Sequence, residues 1–413
     1  MRTNPFYSFI SILSFIFLLT SCMYRTPQSD SAGHRGKQPS NEVRWPKGKA
    51  TLKRSSLAEG KSNPQPSTLP MRHAKYLTLV EHEAYTEVLI RNPWDDSKLL
   101  QRFVINKNES VDVETSREVK YSLSASSNRL AIFTTTHANL IEELGCIDAI
   151  AGVCETEYIA NPRLCEALSA GHIRDLGSAM TPDRERIIAL APDLILLSPY
   201  ENASTYGNLE SLGIPIIQCA DYMETTALGR AEWMRLYGRL VGKAREADSL
   251  FLAVEARYHA LQSLTDSLAP ESRPTVLFDT KNGSAWYVPG GRSTMAQLIH
   301  DAGGRYLFAD NPKSGSVPLA FETVLDRGEQ AHVWLIRYNN SHQRMTLSDL
   351  GSVYQPYTLF RSYRSGQVYG CNSSELIFYE ETPFHPERLL RDYINILHPT
   401  LLPTDTLRYF HQL

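Results

Sequence analysis

The sequence predicts an α/β protein of two doubly wound lobes joined by a long rigid helix, with a small β extension ahead of the first lobe. Three observations predict it. Short apolar runs alternate with helical stretches over residues 129–224, and the same grammar returns over 270–413. Between those blocks, residues 225–269 carry helical spacing without a strand signal. Ahead of them, strand-like runs over 71–128 follow one another with no helix between.

Residues 1–22 read as a leader. Arg2 is the only charge before an apolar run from Phe6 to Leu19, which is too short for a stable span of about 20 apolar residues. The run ends at Leu19-Thr20-Ser21-Cys22, which resembles the bacterial lipobox, so Cys22 is the expected lipidation site and new N-terminus. Several acyl chains on one residue hold a protein on a membrane where a single chain does not. Residues 23–70 are rich in Ser, Pro, Gln and Lys and poor in apolar side chains, the composition of a disordered tether. In the β extension, Tyr85 to Arg91 and Gln101 to Ile105 are strand candidates, with a turn at Asn92-Pro93.

The first lobe, 129–224, has strand candidates Leu130–Phe133, Ala149–Val153, Leu194–Leu197 and Ile214–Gln218. Two end in small or polar loops, Thr134-Thr135-Thr136-His137 and Ser198-Pro199-Tyr200, and ligands of open α/β sheets sit at such strand ends. In the connector, Trp233, Leu236, Tyr237, Leu240 and Val241 share one helical face. Gly242 marks a break, and a second helix of about 30 Å follows it. The second lobe, 270–413, has candidates Thr275–Phe278, Ala285–Val288, Val333–Ile336 and Gln367–Tyr369. Stretches 185–197 and 322–336 echo each other, each setting a glutamate at the start of an apolar helix that runs into a strand.

The 413 residues are 42% hydrophobic and 21% charged with formal net charge -3, which gives no support for nucleic-acid binding. Besides Cys22 the cysteines are Cys146, Cys154, Cys165, Cys219 and Cys371, an odd number without CxxC spacing, which argues against a metal cluster or redox motif. Export permits a Cys154–Cys165 disulfide, and buried free thiols are the other reading. No GxSxG elbow, HExxH helix or Walker loop occurs, and Pro289-Gly290-Gly291-Arg292 lacks dinucleotide-loop spacing.

Over residues 129–413 the ordered set of motifs resembles the helical-hinge periplasmic binding proteins, with Rossmann-like lobes, that serve ABC importers of iron–siderophores, haem and cobalamin. It comprises the Thr134–His137 loop, Glu185 with Ala191-Pro192-Asp193, Leu212-Gly213-Ile214-Pro215, the connector, Ala302-Gly303-Gly304 and Glu322. Ala285-Trp286-Tyr287-Val288-Pro289, the stretch 298–304 and His385-Pro386-Glu387 are similar to an iron-compound-binding lipoprotein branch common in Bacteroidetes. The resemblance implies that Glu185 and Glu322 dock into a permease dimer that works with an ATPase. It also implies a monomeric, membrane-anchored protein facing the periplasm, without a cofactor or catalytic residues, whose cargo is a small-molecule chelate. The long connector implies a small lobe motion on binding.

A cleft for a flat or macrocyclic chelate needs aromatic faces and a few polar anchors. Residues expected there are His137, Tyr158, Tyr200, Trp286, Tyr287, Tyr338 and Tyr379, with Arg292 as an anchor for an anionic chelate. Trp286 and Tyr287 are strand neighbours, so their side chains oppose and one of them belongs to the core on this reading. His137 has a second reading, as a cap of the helix that follows. A zinc or manganese carrier is the alternative, drawing on His137, His300, His332 and His385; a surface-anchored enzyme is the more distant one.

Overall fold

The computed structural model describes residues 67–107, 119–200, 209–340 and 343–413. The expected leader, Cys22 and the stretch 23–66 lie outside the described residues.

The chain enters through a five-stranded sheet, β1 (Ser67–Leu69), β2 (Leu77–Glu81), β3 (Tyr85–Arg91), β4 (Leu99–Asn106) and β5 (Ser122–Ser124), ordered as numbered. Its first strand starts inside the segment expected as tether. Thr86, Val88 and Ile90 of β3 are buried while their neighbours are not, the period of two that a sheet with one covered face requires. From β4, the Gln101 side chain donates to Ile216 O at 2.6 Å and accepts from Gln218 N at 3.0 Å. That amide completes the edge of the next sheet, where a bare strand would otherwise expose its backbone.

The N-terminal lobe holds β6 (Leu130–Ile132), α1 (Thr135–Glu143), β7 (Ile150–Val153), α2 (Pro162–Ser169), β8 (Arg174–Asp175), α3 (Arg184–Leu190), β9 (Leu194–Leu197) and β10 (Ile216–Gln218). Its sheet is wholly parallel in the order β10-β9-β6-β7-β8. All residues of β6, β7 and β9 are buried, as expected of a parallel sheet covered on both faces.

The connector is α4 (Ala227–Glu232), α5 (Met234–Leu240) and α6 (Ala244–Gln262). Gly242 at φ +71° makes the break, a backbone state glycine adopts without steric cost. At 19 residues, α6 is about 28 Å long.

The C-terminal lobe follows with β11 (Thr275–Phe278), β12 (Lys281–Asn282), β13 (Ala285–Pro289), α7 (Thr294–Asp301), β14 (Arg305–Tyr306), β15 (Ser316–Leu319), α8 (Phe321–Gly328) and β16 (Val333–Tyr338). It ends with α9 (Leu347–Val353), α10 (Arg361–Arg364), β17 (Val368–Asn372), α11 (Phe378–Glu381), α12 (Pro386–Leu397) and β18 (His411–Gln412). The main sheet runs β14-β11-β16-β17-β18, parallel except for the antiparallel edge strand β18. The strand expected over Ala285–Val288 does not join it. It forms β13 of a separate antiparallel sheet, β12-β13-β15. Between this small sheet and the main one lies an aromatic core, in which Trp286 stacks on Trp334 at 5.7 Å and meets Tyr357 and Phe360 edge-on. Each such pair adds about 0.5–1.5 kcal/mol beyond the area it buries.

Candidate functional site at the two switch points

Strand order locates the site. In the N-terminal sheet the order reverses between β6 and β9, and in the C-terminal sheet between β11 and β16. Doubly wound sheets take ligands outside the carboxyl ends of the strands at such reversals. The loops in question are Thr134–His137 and Ser198–Tyr200 in one lobe, and the residues from Asp279 and Arg337 onward in the other.

At the C-terminal reversal, Arg337 forms two bonds with the Asp279 carboxylate, Nε at 3.0 Å and Nη2 at 2.5 Å. Asp279 is in the left-handed region at φ +56°, with its N–H held by Leu335 O and its carbonyl accepting from Trp334 Nε1. Such a conformation at a strand end stores strain and is typical of ligand-handling sites. The guanidinium carbon lies 5.0 Å from the Phe278 ring centre and 5.9 Å from that of Tyr379. Burial disfavours the cation, but the Asp279 charge and hydrogen bonds, with Tyr379 and Tyr393, together outweigh it and raise the Arg337 pKa. A planar cation framed by two aromatic rings suits an anionic, conjugated ligand. Neither Asp279 nor Arg337 was among the sequence candidates. The available signal was an arginine following the apolar run Val333–Ile336.

At the N-terminal reversal, Tyr200 donates to Met180 Sδ at 3.0 Å, and Tyr222 donates to the carbonyl of Pro199. Burial, then the nearby Glu155 charge, raises the Tyr200 pKa; the same two influences, with Glu157, raise that of Tyr158. Glu155, just beyond β7, is itself left-handed at φ +58° and accepts from Ala179 N at 2.7 Å and Ser178 Oγ at 3.0 Å. Tyr158 and Tyr200 are half-buried, and both feel the charge of this carboxylate.

The two lobes touch beside these loops. Thr136 Oγ1 donates to the carbonyl of Tyr379 at 2.9 Å, and the Glu380 carboxylate accepts from the backbone N–H groups of Ala160 and Asn161 at 3.0 and 3.3 Å. Glu143 of α1 meets His385 Nε2 at 2.7 Å. Tyr379 thus links the Arg337 pair to the first turn of α1.

Other candidates lie elsewhere. His137 is 1% exposed, with Nδ1 at 2.7 Å from Thr134 Oγ1 and Nε2 at 2.9 Å from Asp221 Oδ1 and 3.0 Å from Tyr237 OH. Both ring nitrogens are occupied, so it positions α1 rather than lining an open wall. Thr134 supplies the side-chain cap of that helix. Trp286 is 0% exposed and belongs to the aromatic core, while Tyr287 on the opposite face of β13 is half-buried. Tyr338 accepts from Met345 N at 3.0 Å and lies 3.3 Å from His411 Nε2, toward the β18 edge. Arg292 is exposed in the turn before α7 and is held by its backbone to Lys313 O.

Glu185 and Glu322 are exposed in the first turns of α3 and α8. Each helix returns the chain to the start of a parallel strand, so it begins at the end of the lobe where the strands finish. Both carboxylates therefore stand at the switch-point end, favoured there by the helix dipole. The histidines weighed for a metal carrier do not converge. His385 is engaged by Glu143 and Glu387, His300 is exposed on α7, and His332 pairs with Thr275 at the amino ends of the strands. A cavity of about 470 Å³ opens at that same amino end, lined by His332, Arg361, Gln367 and Tyr369, away from both reversals. Cys146, Cys154, Cys165, Cys219 and Cys371 are all free thiols, so the Cys154–Cys165 disulfide is not formed.

Comparison with known proteins agrees with this geometry. Two uncharacterized lipoproteins of Methanocaldococcus jannaschii are similar: MJ0878 at 27% identity over 57% of this chain, and MJ0872 at 24% over 64%. The chain spans 55% of the length of the first and 68% of the second. Among solved structures, the molybdate-binding protein MolA of Haemophilus influenzae matches 70% of this chain and 92% of its own, with TM-score 0.57 and 14% identity. The periplasmic heme-binding protein RhuT of Roseiflexus sp. RS-1 matches 67% of this chain and 100% of its own, with TM-score 0.52 and 18% identity. Among the described residues no helix is long and apolar enough to cross a membrane. The family model for periplasmic binding proteins matches residues 130–374, from the first lobe through the connector to the end of β17 in the second, and the chain belongs to that family of solute-binding proteins.

Proposed function

We propose that this chain is the substrate-binding lipoprotein of an ABC importer, held on a membrane through Cys22, that captures an iron chelate (a siderophore or haem) or cobalamin between its lobes. A monomer delivers the ligand to a permease dimer and its ATPase, with Glu185 and Glu322 as the docking carboxylates. The observation that carries the reading is the Arg337–Asp279 pair at the C-terminal switch point, framed by Phe278 and Tyr379. A carboxylate-bearing or otherwise anionic chelate competes with Asp279 for this guanidinium, and the rings offer it flat apolar faces. The names of the relatives support the lipid anchor, and those of RhuT and of a periplasmic heme-binding protein from Pseudomonas aeruginosa support the cargo class. The motifs that resemble those of the Bacteroidetes iron-compound branch point the same way.

The test is a visible-spectrum titration of the purified protein with haemin, a ferric hydroxamate and cobalamin. One of the three is expected to bind at one equivalent, and Arg337→Ala to weaken it at least tenfold. Absence of binding to all three would remove the cargo assignment.

A further inference from the structure

We infer that His73, Glu255 and His259 form a transition-metal site that clips the segment entering the β extension to the connector helix. This site lies outside both switch points and does not depend on the cargo. The three ligand atoms lie within 4.8 Å of one another, with His73 Nε2 2.8 Å from Glu255 Oε1. Glu255 and His259 are four residues apart on α6 and share one helical face, while His73 comes from a segment over 180 positions earlier. Two donors on one tetrahedral zinc stand about 3.4 Å apart, so the set closes by rotation of the exposed His259 ring.

The surroundings are built as metal sites are built. The backbone of the His73 segment is fixed, because the fully buried Glu232 carboxylate accepts the N–H groups of Arg72, His73 and Ala74 at 3.0, 2.9 and 2.8 Å. A β-carbon on Gly229 would stand 2.8 Å from His73 O, which shows how closely α4 seats this stretch. The Glu255 side chain is 11% exposed; one carboxylate oxygen accepts from Arg72 Nη1 at 3.0 Å, leaving Oε1 toward the histidines. Gln262 Oε1 lies 3.3 Å from His259 Nδ1; with the proton on Nδ1, the lone pair of that ring is on Nε2. Partners of this kind orient ligands and fix tautomers.

Two imidazoles and one carboxylate suit zinc, cobalt or nickel, with water completing the shell; magnesium and calcium prefer all-oxygen sets. The consequence is mechanical: the ion joins the entry segment to the connector by bonds that the His73–Glu255 ion pair alone does not supply.

The test uses the purified full-length chain stripped with a chelator and titrated with cobalt chloride, then with zinc as competitor. One equivalent of cobalt is expected to give visible ligand-field bands that zinc abolishes. His259→Ala and His73→Ala are each expected to weaken binding at least tenfold, and zinc to raise the Tm of the wild type but not of His259→Ala. His259 is exposed, so that variant folds; His300→Ala, an exposed histidine on α7 outside the site, is the control that keeps the metal. Failure of the wild type to bind cobalt or zinc, or equal binding by His259→Ala, would overturn the assignment.

Discussion

His137 is held from three sides, and each contact comes from a different part of the chain: Thr134 in its own turn, Asp221 beyond β10, and Tyr237 in the connector. Burial works against the charge on Asp221, but His137 and then Arg230 hold its carboxyl down to about 2. Removing the imidazole leaves a buried carboxylate short of a partner, a defect of about 3 kcal/mol. His137→Ala is therefore expected to lower stability by that amount in denaturant titration while leaving cargo affinity within threefold of wild type. A large loss of affinity with stability intact would make the ring a ligand contact instead. The sequence offered this residue as a ligand contact or as the cap of the following helix, and the capping side chain is Thr134. The Trp286–Tyr287 pair was more legible, since alternation along a strand dictates opposite faces and the larger apolar ring goes inward. Arg337 was not legible, because its meaning depends on Asp279, 58 positions away on a neighbouring strand.

At the scale of elements, the runs that became β9 and β11 were read to the residue, because a fully buried parallel strand is an unbroken apolar run. The run at Ala285 is the strand expected in the second lobe, but it joins the small antiparallel sheet and not the main parallel one. Only residues 279–284 separate it from β11, and a parallel crossover needs about a dozen or more residues. Such a short link, with Gly283 at φ +59°, permits only antiparallel pairing nearby, and that constraint was available in the sequence. Another element, α11, carries the inter-lobe contact through Glu380. Burial pushes its carboxyl up to about 7; the Ala160 and Asn161 amides pull it back in part, and Glu381 adds to the rise. A carboxyl whose pKa is higher folded than unfolded contributes stability that is whole below about pH 4.5 and lost as pH rises through about 7. Relative to Glu380→Gln, the wild type is expected to lose about 3 kcal/mol between pH 4.5 and 8, measured by chemical denaturation. An equal difference at both pH values would sink this assignment.

For the whole molecule, the strand orders and the connector set where the carboxylates proposed for docking stand. Glu185 and Glu322 begin helices on different lobes, and each exposed pair they form is worth only about 0–1 kcal/mol. If they dock as proposed, recognition by a two-fold permease depends on their spacing more than on either charge. Reversing both, Glu185→Arg with Glu322→Arg, is expected to abolish uptake in cells while the purified protein keeps its cargo affinity. Loss of that affinity would assign them to the fold. The two-lobe plan was readable because it is written twice, in the echo between 185–197 and 322–336; the packing of the β extension on the β10 edge, through Gln101, is written once and in one side chain.

Glu224 joins Glu232 in gripping the entry segment: its carboxylate accepts from the backbone of Lys75 and Tyr76 and from Trp233 Nε1, so five consecutive amides, from Arg72 to Tyr76, end on two buried acids beside the connector. On the proposed reading of an anchored chain, a pull from the amino-terminal side of residue 71 is shared between this grip at the pivot and the pairing of β1 with β2, which leads to the first jaw alone. The line is tied to the hinge and to one arm of the tongs, and the second arm is left free of it.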